Sequence, residues 1–180
     1  MNIFGEVESI NQSGPHKNTT INQTQTNLYN SAHQLCMIKR NDVGNTYFHR
    51  NSIGEVVWQA QGVSGSTCAA HGANSNQKVF FGFDNLGDRQ TITYSDDSPD
   101  IKYTLDNNGD LKKLEAGSVI QNYDYNSARL LEWETLSIDS RSFKLDYGYD
   151  SLGALSSIKY PDSTVGQVDF APNAFGQPTK

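Results

Sequence analysis

Eight times along the chain an Asp or Asn stands three residues ahead of a closing position, and six of those closing positions are glycine. The tetrads are NIFG ending at Gly5, NSAH at His33, NSIG at Gly54, DNLG at Gly87, DNNG at Gly109, NSAR at Arg129, DSLG at Gly153 and NAFG at Gly176. No other feature restricts the fold as strongly. An Asp or Asn leading a turn hydrogen-bonds to the backbone just ahead of it, and Gly at the fourth position takes positive φ at no steric cost. A type I turn followed by a left-handed Gly is a three-residue hairpin loop with a bulge. Each tetrad is therefore expected to reverse the chain, most plainly at Asp84 and Gly87, Asp106 and Gly109, Asp150 and Gly153, and Asn173 and Gly176. His33 and Arg129, standing in the glycine slot, carry a modest strain if the same turn persists there.

The flanks read as strands. Before Asp150, Phe143, Leu145, Tyr147 and Tyr149 alternate with Lys144, Asp146 and Gly148, the period-two pattern of a strand with one apolar face. Val79, Phe81 and Phe83 precede Asp84 in the same way, as do Ile101, Tyr103 and Leu105 before Asp106, and Tyr123 and Tyr125 before Asn126. EVVWQA, DRQTITY, DLKKLE and ALSSIKY supply the return strands. No window holds a 3.6-residue period for long, so little helix is expected. The expectation is an all-β chain, 1–180 forming one repeat domain of about eight hairpin units in a curved strip of sheet. Two stretches fall outside the pattern: 11–27, polar and low in complexity, reads as a loop or linker, and 62–77 as a Gly/Ser/Ala-rich insertion.

Composition agrees with short strands and turns. Hydrophobic residues make up 36% of the 180 and charged residues 19%, with 15 Gly; the 9 Tyr, 8 Phe and 2 Trp argue against disorder. A net charge of -6 with no basic cluster excludes the footprint of a nucleic-acid binder. No apolar run is long enough for a membrane span, and the first residues do not read as a signal peptide.

The frame YGYDSLGALSSIKYPDS from Tyr147, with FGFDNLGDRQTITYSDD, YTLDNNGDLKKLE and YDYNSARLLE, resembles the YD repeats of bacterial Rhs proteins, related to those of toxin-complex proteins and teneurins. The clearest match runs from Val79 to Gln177. The resemblance implies a strip of β-hairpins that spirals into a hollow shell, which in Rhs and toxin-complex relatives encloses a C-terminal toxin. It implies a secreted or cell-surface bacterial protein, with the remainder of a larger polypeptide or a toxin cargo as partner. A chain of this length is too short to close a shell and lacks a toxin tail, so it reads as an excerpt or remnant. Open sheet edges would favour self-association.

Candidate chemistry is sparse. His33, Cys36, Cys68 and His71 have the residue types of a tetrahedral zinc shell, but His33 sits in a turn and Cys68 and His71 in the insertion, so no metal is expected. Cys36 and Cys68 are expected as separate buried or free thiols in preference to a bridge. GVSGST around Ser64 lacks a nucleophile elbow. Asp84, Asp106 and Asp150 are each explained by a turn, and no catalytic residue or cofactor is assigned. Sequons at Asn11, Asn18 and Asn22 mark the polar segment. The resulting expectation is a non-enzymatic structural segment; the alternative is a surface or carbohydrate-binding adhesion module using exposed aromatics.

Overall fold

The computed structural model describes residues 1–17, 19–69, 77–162, 164 and 166–179. They form fourteen strands and no α-helix, so the chain is all-β. Where one repeat domain was expected, the chain divides into two compact units, Met1–Ser98 and Pro99–Lys180. Hairpin arrays are held together by contacts between neighbours, so a division between hairpins does not cut through a shared core.

The first unit holds β1 (Ser9–His16), β2 (Thr19–Tyr29), β3 (Leu35–Arg40), β4 (Asn45–Arg50), β5 (Val56–Val63), β6 (Lys78–Phe83) and β7 (Arg89–Tyr94). Each strand pairs antiparallel with the next in sequence. The second unit repeats that plan with β8 (Ile101–Leu105), β9 (Leu111–Ala116), β10 (Val119–Tyr125), β11 (Leu131–Ile138), β12 (Arg141–Tyr149), β13 (Leu155–Lys159) and β14 (Gln167–Asp169).

A bulge recurs beside the tetrads. Leu28 faces Met37 while Tyr29 faces Leu35, so Cys36 is an extra residue on the return strand. The same shift singles out Val57, Gln90, Lys112, Glu132 and Ser156 in the later hairpins. Two residues opposing one is the bulge geometry that raises local twist.

The polar stretch 11–27 is not a loop. Most of it lies in β1 and β2, which pair over eight registers from Ser9–Thr26 to His16–Thr19. Thr24 Oγ1 donates to Asn11 Oδ1 across the pair, at 2.9 Å. Thr suits a pleated strand without being apolar, and cross-strand amide and hydroxyl pairs replace packing. A search for apolar alternation is blind to such a strand. Asn11 and Asn22 are exposed on this hairpin, and Asn18 lies outside the described residues.

Only the first unit has buried residues among those described. Met37, Tyr47 and Ala60 are register partners across β3, β4 and β5, and with Cys36 and Val63 they form a small core. Trp58 packs against it, its ring 5.3 Å from that of Tyr47. The expectation of separate thiols is corrected here: Cys36 and Cys68 are joined in a disulfide, with their Cα atoms 5.5 Å apart. The described part of the insertion folds back over the strands. Tyr47 Oη donates to Cys68 O, Lys39 Nζ to Ser66 O and Asn45 Nδ2 to Gly65 O. A partner 32 positions away in a segment of small residues leaves no local sign of itself.

In the second unit the sheet has two contrasting faces. Register puts Tyr103, Leu114, Gln121, Leu136 and Phe143 in one row across β8 to β12. Tyr123, Leu145, Tyr147, Ile158 and Val168 stand on the same face. The opposite face carries Asn122, Thr135, Lys144, Asp146 and Lys159, with Ile120 and Trp133 among them. Phe143 and Val168 are 45% and 38% exposed.

A crosslink closing a loop of this size stabilises by about 3–4 kcal/mol in the chain-entropy account. Reduction, or Cys36→Ser with Cys68→Ser, should lower the urea stability of the first unit by that amount. Trp58 emission in a Trp133→Phe background reports it, and titration of the unreduced, unfolded protein should find no free thiol.

Candidate functional site

The residues singled out by sequence converge on one recurring device. In all eight tetrads the closing residue's N–H donates to the carbonyl of the leading residue, at 2.9–3.2 Å. The leading N–H in turn donates to the carbonyl one place beyond the closing residue. The leading side chain adds two more bonds. Asp84 Oδ1 accepts the N–H groups of Leu86 and Asp88 at 2.8 and 2.9 Å, Asp106 Oδ1 those of Asn108 and Asp110, and Asp150 Oδ1 those of Leu152 and Ala154. Asn173 does the same for Phe175 and Gln177, as do Asn2, Asn30, Asn51 and Asn126 in their own turns.

The choice between Asp and Asn has a local cause. Asn30, Asn51 and Asn173 also donate through Nδ2 to the side chains of Gln34, Glu55 and Gln177, and Asn2 donates to Glu6. A carboxylate in the leading position has no donor for that Glu or Gln. Asp leads where the residue after the closing position is Asp88, Asp110 or Ala154; Asn126, followed past its closing residue by Leu130, is the exception.

All eight closing residues have positive φ, including His33 at 59° and Arg129 at 61°. Those two replace glycine with a side chain that reaches the preceding turn. His33 Nδ1 lies 3.1 Å from Glu6 Oε1, and its ring packs on Phe4 at 4.1 Å between centroids. Arg129 donates from Nε and Nη2 to the two oxygens of Asp110, at 2.9 and 2.6 Å, and from Nη2 to Asn108 O. Glu6 and Asp110 hold the same position, one past the preceding closing residue. The hydrogen bond from Arg129 holds the Asp110 carboxyl below the ordinary carboxylate range. At two of the retained glycines the preceding turn fills the space: a Cβ on Gly54 would come within 2.5 Å of the Gln34 amide, and one on Gly87 within 3.3 Å of Glu55.

Sequence reading missed a second tie between hairpins, made by the residue just before four of the eight tetrads. Tyr29 Oη donates to Val7 O at 3.1 Å, Tyr125 Oη to Leu111 O at 3.0 Å and Tyr149 Oη to Leu131 O at 2.9 Å. Every acceptor lies two residues past the preceding closing position. Arg50, which broke the aromatic pattern, makes the equivalent bond to Leu35 O through Nε and Nη2, and Nη1 reaches Gly54 O. The signal was the choice of Tyr over Phe before the acid. Phe83 lacks a donor and lies beside the Arg89 guanidinium, which also sits 4.5 Å over Phe81.

The zinc set is not brought together. Cys36 and Cys68 are consumed in the disulfide and His33 faces Glu6, while His71 lies outside the described residues. Among the described residues no group of three or more His, Cys, Asp or Glu is gathered around a point.

Two variants test the turn device. Asp150→Ala removes an acceptor shared by two N–H groups and should cost about 1–2 kcal/mol, with Asp150→Asn closer to neutral; urea unfolding followed by Trp133 emission in a Trp58→Phe background measures both. Arg129→Gln should raise the pH at which Asp110 titrates. A depressed folded-state value means that the pair's stabilisation is complete above the unfolded carboxylate pKa of ~3.9 and is lost as pH falls through the lower folded value. Carboxyl carbon shifts of Asp110 in parent and variant provide the check, and identical titrations would remove the assignment.

No family model matches this sequence, and no curated protein matches it. Solved structures do. The crystal structure of TcdB2-TccC3-Cdc42 is similar over 97% of this chain and 12% of that one, at 12% identity and a TM-score of 0.56. The crystal structure of TcdB2-TccC3-TEV aligns over 85% of this chain and 10% of that one, at 17% identity and a TM-score of 0.44. A Photorhabdus luminescens Tc holotoxin pore aligns over 85% and 10%, at 16% identity and a TM-score of 0.42. This chain thus spans about an eighth of the TcdB2-TccC3 chain whose fold it shares. The resemblance drawn from the repeats to the Rhs and toxin-complex YD-repeat family is matched by that shared fold.

Proposed function

We propose that this chain is a non-enzymatic wall segment of a larger YD-repeat polypeptide, part of a β-shell that encloses a toxin cargo. The observation that carries this reading is the two-faced sheet of the second unit, in which one apolar, tyrosine-rich face runs through all seven strands. A half-exposed apolar face of that extent suits an enclosed volume better than open solvent. The tyrosines on it are held in place: Tyr147 Oη donates to Glu134 Oε1 at 2.7 Å and Tyr123 Oη to Gln121 Oε1 at 3.0 Å. Burial and the bond to Glu134 push the Tyr147 hydroxyl upward, so it stays a neutral donor across the physiological range.

The stacked turns supply the means of extension. A contact that ties each hairpin to the one before it can be repeated without limit along a strip, which is how repeat arrays gain stability. The leading acids of the turns are engaged by backbone N–H groups, consistent with a structural rather than a chemical use. The disulfide supports a secreted or cell-surface location, since such bonds persist in oxidising compartments. Outer strands such as β1 would join the remainder of the polypeptide, or a second copy, through unpaired backbone groups.

Electron cryo-microscopy of the polypeptide encoded by the whole reading frame tests the proposal. The expected map places these strands in a continuous wall, with Tyr123, Phe143 and Tyr147 facing the enclosed side. A detached domain, or a wall with those side chains directed outward, would contradict it.

A further inference from the structure

The first unit carries a polar cleft of about 530 Å³ beside the turn that joins β3 to β4. Its floor is one transverse row, because Gln59, Val79 and Tyr94 are register partners across β5, β6 and β7 and so share a face of the sheet. Gln61, two places along β5, stands on the same side. Gln77, just ahead of β6, Asp96, just past β7, and Val43 also line it, along with Ala60, Gly62 and Lys78. This is the face opposite the disulfide-capped core, since Ala60 and Lys78 pair with each other on the other side.

The chemistry of the lining narrows the ligand. Three side-chain amides, those of Gln59, Gln61 and Gln77, make no hydrogen bond to any described residue. Each offers two donors and an acceptor, the combination that matches a hydroxyl, which both gives and takes. Tyr94 adds an aromatic ring to the floor, a surface suited to the C–H face of a sugar ring. Charge argues against an anion. Lys78 lines the cleft but its ammonium is drawn to the other face, 4.7 Å over the Trp58 ring, and among the described lining residues the one carboxylate, Asp96, accepts the N–H of Ser98. The volume falls within the range of small-ligand sites.

We propose that this cleft binds an uncharged saccharide, with Gln59, Gln61 and Gln77 bonded to its hydroxyls and Tyr94 beneath its ring. The site adds recognition to the first unit and does not depend on the wall role assigned above.

The test titrates the isotope-labelled full chain with lactose, maltotriose and chitotriose, with sodium phosphate and sialyllactose as charged probes. At least one neutral sugar should move the side-chain amide signals of Gln59, Gln61 and Gln77 saturably, with a dissociation constant of roughly 1 mM or below. Gln59→Ala with Gln61→Ala should weaken that binding tenfold or more. If the double variant fails to fold, Gln61→Lys at an exposed position serves instead and should weaken binding at least fivefold. Three outcomes overturn the proposal: no response of those amides to any neutral sugar at about 10 mM, well above the expected constant; unchanged affinity in the variant that folds; or tighter binding of phosphate or sialyllactose than of every neutral sugar.

Discussion

One oxygen atom per turn organises this molecule. The leading Asp or Asn of each tetrad accepts two backbone N–H groups that would otherwise point into solvent at the tip of a hairpin. That double bond holds the three-residue loop, and the loop sets everything on either side of it. At Tyr29, Arg50, Tyr125 and Tyr149 the residue before the tetrad reaches a carbonyl of the preceding hairpin, and at His33 and Arg129 the closing side chain reaches the preceding turn. Where these ties are made, one turn positions the next.

The two departures from glycine follow from this arrangement. A side chain at positive φ is strained, and a chain free to choose would keep glycine. His33 and Arg129 are placed where an acid of the preceding turn, Glu6 or Asp110, lies within reach. The Arg129–Asp110 ion pair, with Arg129 largely exposed, is individually modest. The role of both side chains is to tie one turn to the next, which glycine, having no side chain, cannot do.

The units solve the problem of a single-layered sheet differently. The first folds its own small-residue segment over β3 to β5 and locks it with a disulfide, which yields the buried cluster around Met37. The second has no such cover among its described residues and leaves a tyrosine-rich face half exposed.

The hairpins were legible in the sequence because their causes are local: turn chemistry spans four residues, and alternation around Tyr147 or Phe81 spans six or seven. The carbonyl-seeking tyrosines were half legible, since Tyr125 and Tyr149 were visible as aromatics but their acceptors lie 14 and 18 residues back. The polar strands β1 and β2 were missed because Thr, Gln and Asn alternate without apolar contrast. Only the tertiary structure decided the pairing of Cys36 with Cys68, the reach of Arg129 to Asp110 and the row of Gln59, Val79 and Tyr94. Each depends on which residues the sheet places side by side, and that adjacency is set by strand order and register, not by anything within a few residues of the groups concerned.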